Sequence, residues 1–558
     1  MSELSAKHSI DTFRESISKQ CKDSAARPQG AFTLSVPTGG GKTFSSLRFA
    51  LHHADKHNLN RIVYVIPYTS VIEQNAKAIR KALADRHRDL VLEVHSNLTR
   101  RKQTFRDKIV AANWDAPILI TTMVQFLESL FGSGTRGARR MHQLAKSVII
   151  FDEIQSLPLK CTHLFNQAAN FLVGQCSSTV VLCTARQPRL NKVDEKWGRL
   201  RLSDNPEINR YTRQDYQQLR RNEIHDATKP GGWGNDEICQ LVVEQTAKSG
   251  SCLVVTNTKS MARKIFEEVQ LNTANSPTEV AHLSTNMCAA HRKAVLHLVK
   301  KRLDSKRPVI CISTQLIEAG VDISFGSAVR FLAGLASIAQ TAGRCNRHEI
   351  ENRGEVFVLN PAQENLRGLP EIQAAAECTK RLFADFADAP AAFDHDRIGP
   401  KAIDWYYENY FFSREKEMRY RVDSSQLGYE DSLVSLLGPN SSAYQRQTQL
   451  HPKAPSLCFR QSFMAASRIF DVIDAPTEGV IVPFGRRGKS MLRRMHNEQF
   501  QNQPYRLIRD LQEFAVNVFP NDFLTLQKNR AISPVSDQLN IFELDPQFYD
   551  AQFGLATT

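Results

Sequence analysis

Short apolar runs rich in β-branched residues recur along the chain at Ala31–Val36, Arg61–Ile66, Ile118–Thr121, Ser147–Phe151 and Thr179–Cys183. Their length and composition predict strands, and the amphipathic stretches between them, beginning with Thr43–His57, predict helices. Short buried strands alternating with helices form parallel βαβ units. The pattern then restarts at Ser251–Thr256 and continues through Glu279–Leu283, Pro308–Ser313, Ala328–Leu332 and Glu355–Leu359. Between the two sets, Thr228-Lys229-Pro230-Gly231-Gly232 has the composition of a hinge. No short period repeats along the chain, which excludes a solenoid.

After Asn360 the texture changes. Residues 361–400 read as partly helical, with Ala-Pro and Gly-Pro breaks near their end. Ile403–Tyr410 is aromatic-rich, Ser441–Pro455 reads as a polar loop, and Gly479–Pro483 is a last strand candidate before the basic Gly485-Arg486-Arg487-Gly488-Lys489. The expected division is 1–228 and 229–362 as two α/β domains, 363–400 as a linker, and 401–558 as a C-terminal accessory domain.

Composition narrows the class. The 558 residues carry 72 Lys and Arg against 58 Asp and Glu, a formal charge of +14 that suits a polyanionic partner. Eleven cysteines are scattered with no CxxC pair, a pattern of reduced thiols that speaks against a zinc site or a disulfide framework. Met1–Arg14 is polar and shows no secretory h-region, and no apolar run approaches the ~18–20 residues that span a bilayer. The expectation is a soluble, cytoplasmic protein with no membrane association.

Two motifs carry chemistry. Val36-Pro37-Thr38-Gly39-Gly40-Gly41-Lys42-Thr43 sits between a strand and a helix, with Val36 where the generic motif has its first glycine. Glycines let the backbone turn successive N–H groups toward phosphate oxygens. Lys42 would reach the β- and γ-phosphates of ATP, and the Thr43 hydroxyl would coordinate Mg²⁺. Val148-Ile149-Ile150-Phe151-Asp152-Glu153 is a buried strand that ends in two acids. Asp152 would hold Mg²⁺, and Glu153 would orient or deprotonate the attacking water. Together they predict nucleotide hydrolysis and not merely storage. A third segment, Gln340-Thr341-Ala342-Gly343-Arg344-Cys345-Asn346-Arg347, places two arginines on one face if it is helical. Such a pair can stabilise charge on a transferring phosphoryl group, although spacing alone equally describes an ordinary basic helix.

The ordered set of PTGGGKT, DEIQ at Asp152–Gln155, TAR at Thr184–Arg186, STQLIEAGVDIS at Ser313–Ser324 and QTAGRCNR resembles a superfamily 2 helicase of two RecA-like lobes. More narrowly it resembles the CRISPR-associated helicase–nuclease of type I systems, recruited by the Cascade surveillance complex. Gly30–Ala54, Val65–Gln74, Gln461–Ala466 and Val480–Pro483 extend the likeness over nearly the whole chain, and the DEIQ form is similar to the I-C branch.

The resemblance implies two tandem RecA-like P-loop domains with parallel sheets plus a C-terminal accessory domain. It implies an ATP/Mg²⁺ site of Pro37, Thr38, Gly39, Gly40, Gly41, Lys42, Thr43, Asp152 and Glu153. Arg344 and Arg347 would be arginine fingers, with Asp322 and Gln340 helping to close the cleft, and Gln20 is a candidate adenine reader. Thr69, Thr121, Asn257 and Thr314 fall at positions expected to touch a nucleic-acid backbone.

Two departures stand out. Arg186 replaces the usual final Thr of the third motif, which puts coupling of ATP cleavage to strand movement in question. The family usually begins with an HD-type metal nuclease domain, whereas about thirty residues precede the first strand here, and the His225-Asp226 and His395-Asp396 dipeptides lack neighbouring histidine partners. The expectation is a helicase without nuclease activity of its own, either a subunit working with a separate HD nuclease or a product lacking that domain. The expected activity is ATP-driven translocation on single-stranded DNA in antiviral defence. Basic candidates for the track are Arg100-Arg101-Lys102, Arg136 with Arg139-Arg140, and Arg486 through Arg494. The alternatives are an RNA or DNA-repair helicase, and a nucleotide-gated clamp without net translocation.

Overall fold

The computed structural model describes residues 9–37, 39–67, 69–83, 85–94, 111–185, 187–210, 220–318, 321–346, 353–453, 457–472, 477–495, 510–536 and 541–556. Two compact units account for them. Each is built on a six-stranded, wholly parallel sheet.

In the first unit the strands are β1 (Ala31–Ser35), β2 (Arg61–Ile66), β3 (Val91–Val94), β4 (Ile118–Thr122), β5 (Ser147–Asp152) and β6 (Thr179–Thr184), in spatial order β1-β6-β5-β2-β4-β3. In the second they are β7 (Asn222–Asp226), β8 (Ser251–Val255), β9 (Glu279–Leu283), β10 (Val309–Ser313), β11 (Ser327–Phe331) and β12 (Gly354–Leu359), in order β7-β12-β11-β8-β10-β9. The second order is the first repeated, the topology of tandem RecA-like domains. No sequence period betrays it.

Residues of both parities along these strands are apolar because both faces are covered. Phe32, Leu34, Ile62, Tyr64, Ile66, Val148 and Ile150 enter one core, while Val63, Val65, Ile149, Phe151, Val180 and Leu182 enter the other. The second core also takes in Tyr420, Val422, Leu433, Leu436, Phe470 and Val472. Residues 407–474 therefore belong to the first unit, and 475–558 to the second. This corrects the expected single accessory domain 401–558: residues 407–474 complete a core of the first sheet, while those from 475 on build a separate core, joined by Cys288, on a four-stranded sheet of their own. The expected break at 228/229 also shifts, because β7 pairs in parallel with β12 and so lies inside the second sheet. Ser441–Leu450, expected to be a loop, is a helix with no buried residue.

The strand order positions the chemistry. β1, β6 and β5 are neighbours, with Ser35 beside Thr184 and Asp152 beside Cys183. Three motifs far apart in sequence thus emerge along one edge, where α2 (Lys42–His57) begins. Among the described residues no helix is long and apolar enough to cross a membrane.

His53 of α2 is buried, its Nδ1 donating to the Ala25 carbonyl at 2.8 Å and its Nε2 accepting from Thr179 Oγ1 at 2.8 Å. Burial pushes its pKa down to about 4, and burial does the same to His282 on β9 in the second unit. A histidine depressed in the folded state stabilises fully above its unfolded pKa near 6.5 and loses that contribution as pH falls through about 4. The melting temperature of the chain is expected to be flat above pH 7 and to fall between about pH 6.5 and 4, which thermal melts across that window would check.

Candidate nucleotide-hydrolysis site

After β1 the chain turns sharply. The Gly40 N–H donates to the Pro37 carbonyl at 2.9 Å, and Gly39 and Gly41 have φ of 81° and 84°. A side chain on Gly40 would place its Cβ 2.7 Å from Val36 Cγ1, so the loop has no room for one. Gly41 in the left-handed region is the residue that turns the chain into α2, which puts Lys42 and Thr43 in its first turn. Of this loop, Thr38 lies outside the described residues.

Lys42 Nζ is held by both acids of β5's end, at 2.9 Å from Asp152 Oδ1 and hydrogen-bonded to Glu153 Oε1. Burial disfavours the ammonium charge, yet Asp152 and Glu153 more than offset it and push the pKa up. Lys42 is therefore charged at neutral pH, with two carboxylates standing beside it. Glu153 itself sits at φ 51°, ψ 52°, a left-handed conformation that costs a non-glycine residue about 1–3 kcal/mol and concentrates at functional sites. The turn is fixed by the Ser156 hydroxyl, which donates to the Glu153 carbonyl at 2.7 Å.

Four groups that motif reading did not assign support this set. Gln155 donates through Nε2 to Glu153 Oε2 and accepts from the Thr184 hydroxyl, so the end of β6 is wired to Glu153 through one amide. Asn75 of α3 (Thr69–Ala82) accepts from the Thr43 hydroxyl at 3.3 Å. Glu207 accepts from the Ser35 N–H at 2.9 Å, the Ser35 hydroxyl at 2.7 Å and the Thr33 hydroxyl at 2.9 Å, which pins the strand end ahead of the loop. Burial pushes the Glu207 pKa up, against those hydrogen bonds.

Arg14, on α1 (Ser9–Ser24), donates to the Gly39 carbonyl from Nε at 3.0 Å and Nη2 at 2.8 Å. Arg14→Ala is expected to raise the KM for ATP roughly 3- to 10-fold with kcat little changed, about 1 kcal/mol for a half-exposed charged hydrogen bond. Steady-state ATPase kinetics would check it.

Gln20 spends its carboxamide elsewhere: Oε1 accepts from the Arg210 N–H at 2.8 Å and Nε2 reaches Ser16 Oγ at 3.4 Å. Thr121 is buried and donates to Gln125 Oε1 at 3.3 Å. Thr69 opens α3. Of the first unit's basic candidates, Arg140 donates to the Ala112 carbonyl at 3.2 Å and lies over the Trp114 ring, while 100–102 lie outside the described residues, as does Arg186.

In the second unit, β11, β8 and β10 are adjacent and bring Asn257, Thr314 and Arg330 to one sheet edge. A buried polar network joins Arg330 to Asn257. Arg330, wholly buried, pairs with Glu318 at 3.0 Å and donates to Asn257 Oδ1 at 2.7 Å and Ser337 Oγ at 2.7 Å. Ser337 in turn donates to Glu318 at 2.6 Å, and Glu364 accepts from the Asn257 N–H and Nδ2, each at 2.9 Å. Thr314 is buried, and its backbone carbonyl accepts from the Ser313 hydroxyl.

The helix Leu335–Ala342 carries Gln340, half-buried, and ends before Arg344. This corrects the helical pairing expected of Arg344 with Arg347: Arg344 follows the helix and donates to the Ile317 and Glu318 carbonyls at 3.3 and 2.6 Å. Arg347 lies outside the described residues, and Asp322 is exposed. His225 stacks on Phe357, and among the described residues no group of three or more His, Cys, Asp or Glu could hold a metal ion.

Residues 16–191 match the DEAD/DEAH box helicase family, and residues 248–350 match the C-terminal region of the CRISPR-associated nuclease/helicase Cas3 family. A CRISPR-associated nuclease/helicase Cas3 from Haloferax volcanii is 25% identical over 60% of this chain and 47% of its own length. By these matches the chain is similar to Cas3-type superfamily 2 helicases. It spans about half the length of that curated Cas3. The crystal structure of T. fusca Cas3 with ATP superposes with a TM-score of 0.64 at 15% identity, over 99% of this chain and 71% of that one. A chain of a CRISPR RNA-guided surveillance complex, pre-nicking, superposes at 0.57 and 14% identity, over 96% and 66%. These likenesses show that the chain shares the fold of those Cas3 structures.

Proposed function

We propose that the chain is an ATP-hydrolysing motor that translocates on single-stranded DNA in CRISPR antiviral defence, recruited to DNA held by a Cascade-type surveillance complex. The observation that carries the reading is Lys42 bracketed by Asp152 and Glu153 at the edge of a parallel sheet, in a chain whose second sheet repeats the first. The Haloferax volcanii relative and the surveillance-complex chain support the CRISPR setting.

In this reading the Gly39–Gly41 backbone holds the phosphates of ATP, and Lys42 exchanges its carboxylate partners for phosphate oxygens. Glu153, relieved of Lys42 but still held by Gln155, accepts a proton from water or orients it. Thr43 and Asp152 supply a hydroxyl and a carboxylate, the hard oxygen donors that suit Mg²⁺. Bound there, Mg²⁺ would neutralise phosphate charge. The Thr184–Gln155–Glu153 chain gives a path from the third motif to the hydrolytic carboxylate that does not need a threonine at 186.

The test is displacement of a labelled strand from a duplex with a single-stranded tail. Displacement with ATP, and none with a non-hydrolysable analogue, supports the motor. ATP hydrolysis with nucleic acid bound but no displacement or movement in either direction would favour the clamp.

A further inference from the structure

The helix Gly485–Met495 in the second unit is strongly two-faced. Gly488, Met491, Leu492 and Met495 are buried, the three side chains in a core with Val480, Val482 and Phe514. Gly488 presses so close to Phe514 that an added Cβ would stand 2.9 Å from its Cδ1, so the helix is seated firmly. At about 100° per residue, Arg486, Lys489 and Arg493 form a stripe on the side opposite that core, spanning about 10 Å along the axis. All three are exposed.

Several other cationic positions in the same unit are paired with acids. Arg263 is answered by Glu267 at 2.8 Å, Lys300 by Asp304 at 3.4 Å and Arg302 by Glu279 at 2.6 Å. On this helix Arg487, off the stripe, pairs with Glu513 at 2.9 Å. No acidic residue occurs from Gly479 to Met495, and the three stripe cations have no acidic partner among the described residues.

We infer that this stripe is a binding surface for the phosphate backbone of single-stranded nucleic acid, an assignment that rests on the motor reading and locates part of its track. Three exposed cations in a row along one helix face, with only Ser490 between them on that face, suit a periodic polyanion. A protein interface centres on aromatic or apolar anchors and is depleted in lysine, whereas the outward positions of this helix, Arg486, Lys489, Ser490 and Arg493, are all polar. Backbone contact of this kind carries no base preference, as tracking requires.

The experiment measures binding of labelled oligo-dT to the full chain, without ATP, over a series of salt concentrations. The variant R486Q/K489Q/R493Q is compared with K248Q/K264Q/K301Q, which removes the same net charge from exposed lysines elsewhere in the unit. Each phosphate contact on a single strand contributes about 0.7 to the slope of log K against log salt. The stripe variant is expected to lose about 2 from that slope and the control variant close to none, with DNA-independent ATPase and thermal melts of both unchanged. Equal slope losses in the two variants would mean a diffuse charge effect and overturn the assignment. So would a parental slope in the stripe variant, the result expected if the face docks an acidic protein. Because binding is read without ATP, failure of the motor reading appears separately, as DNA binding with no ATP-driven displacement.

Discussion

Glu153→Gln is expected to bind ATP and leave it uncleaved. The amide keeps the shape of the carboxylate and can still meet Gln155, whose own amide can turn over, but it cannot take a proton from water. General-base loss typically costs 10²–10⁴-fold, so kcat should fall by about that much while ATP affinity stays near the parental value. Lys42→Ala should behave differently. It removes the cation meant for the β- and γ-phosphates and leaves Asp152 and Glu153 facing each other uncompensated, so affinity and turnover drop together. Equilibrium binding of a fluorescent ATP analogue, alongside single-turnover hydrolysis, separates the two. Hydrolysis by Glu153→Gln at the parental rate would assign the water to another residue.

The second large effect concerns stability. Arg330 is wholly buried and its charge is answered chiefly by Glu318, itself buried. Removing one partner of such a pair strands the other in a low-dielectric interior, which costs about 3–5 kcal/mol. Arg330→Met should destabilise the second unit by that amount and loosen Asn257 and Ser337 with it. The double variant R330M/E318L should recover much of the loss, because replacing both ions by apolar groups is often near neutral. Hydrogen exchange of the β8, β10 and β11 amides reads the second unit alone. A loss under about 1 kcal/mol in the single variant would show that the interior tolerates the orphaned carboxylate.

The strands that flank the site were legible because they are apolar at both parities and end in motifs. Those that escaped are instructive. β3 contains Glu93, buried only because Arg80 pairs with it, and β7 reads Asn-Glu-Ile-His-Asp, the composition of an exposed edge. Ser441–Leu450 is polar on every side, so no periodicity marks it as helical. The C-terminal third misled because Tyr420, Leu433 and Phe470 are packed against partners hundreds of residues away, which spacing cannot reveal. At the site, Lys42, Asp152 and Glu153 came from motifs and the structure brings them together. Arg14, Asn75 and Glu207 did not, since each acts through long-range hydrogen bonds with no local signature. Gln155 and Thr184 lay within motifs, yet only the adjacency of β5 and β6 gives them a joint role. Arg344 drew its phosphate role from the resemblance, and in this structure its guanidinium donates to the carbonyls of Ile317 and Glu318, contacts that the motif does not signal.

The central claim is that ATP cleavage at Lys42 and Glu153 serves movement on single-stranded DNA. It is tested most directly by the ATPase rate measured in parallel with no nucleic acid, single-stranded DNA, blunt duplex DNA and RNA. The account predicts a large increase with single-stranded DNA, little with duplex or RNA, and none in Lys42→Ala. A rate indifferent to nucleic acid, or one raised most by RNA, would contradict it.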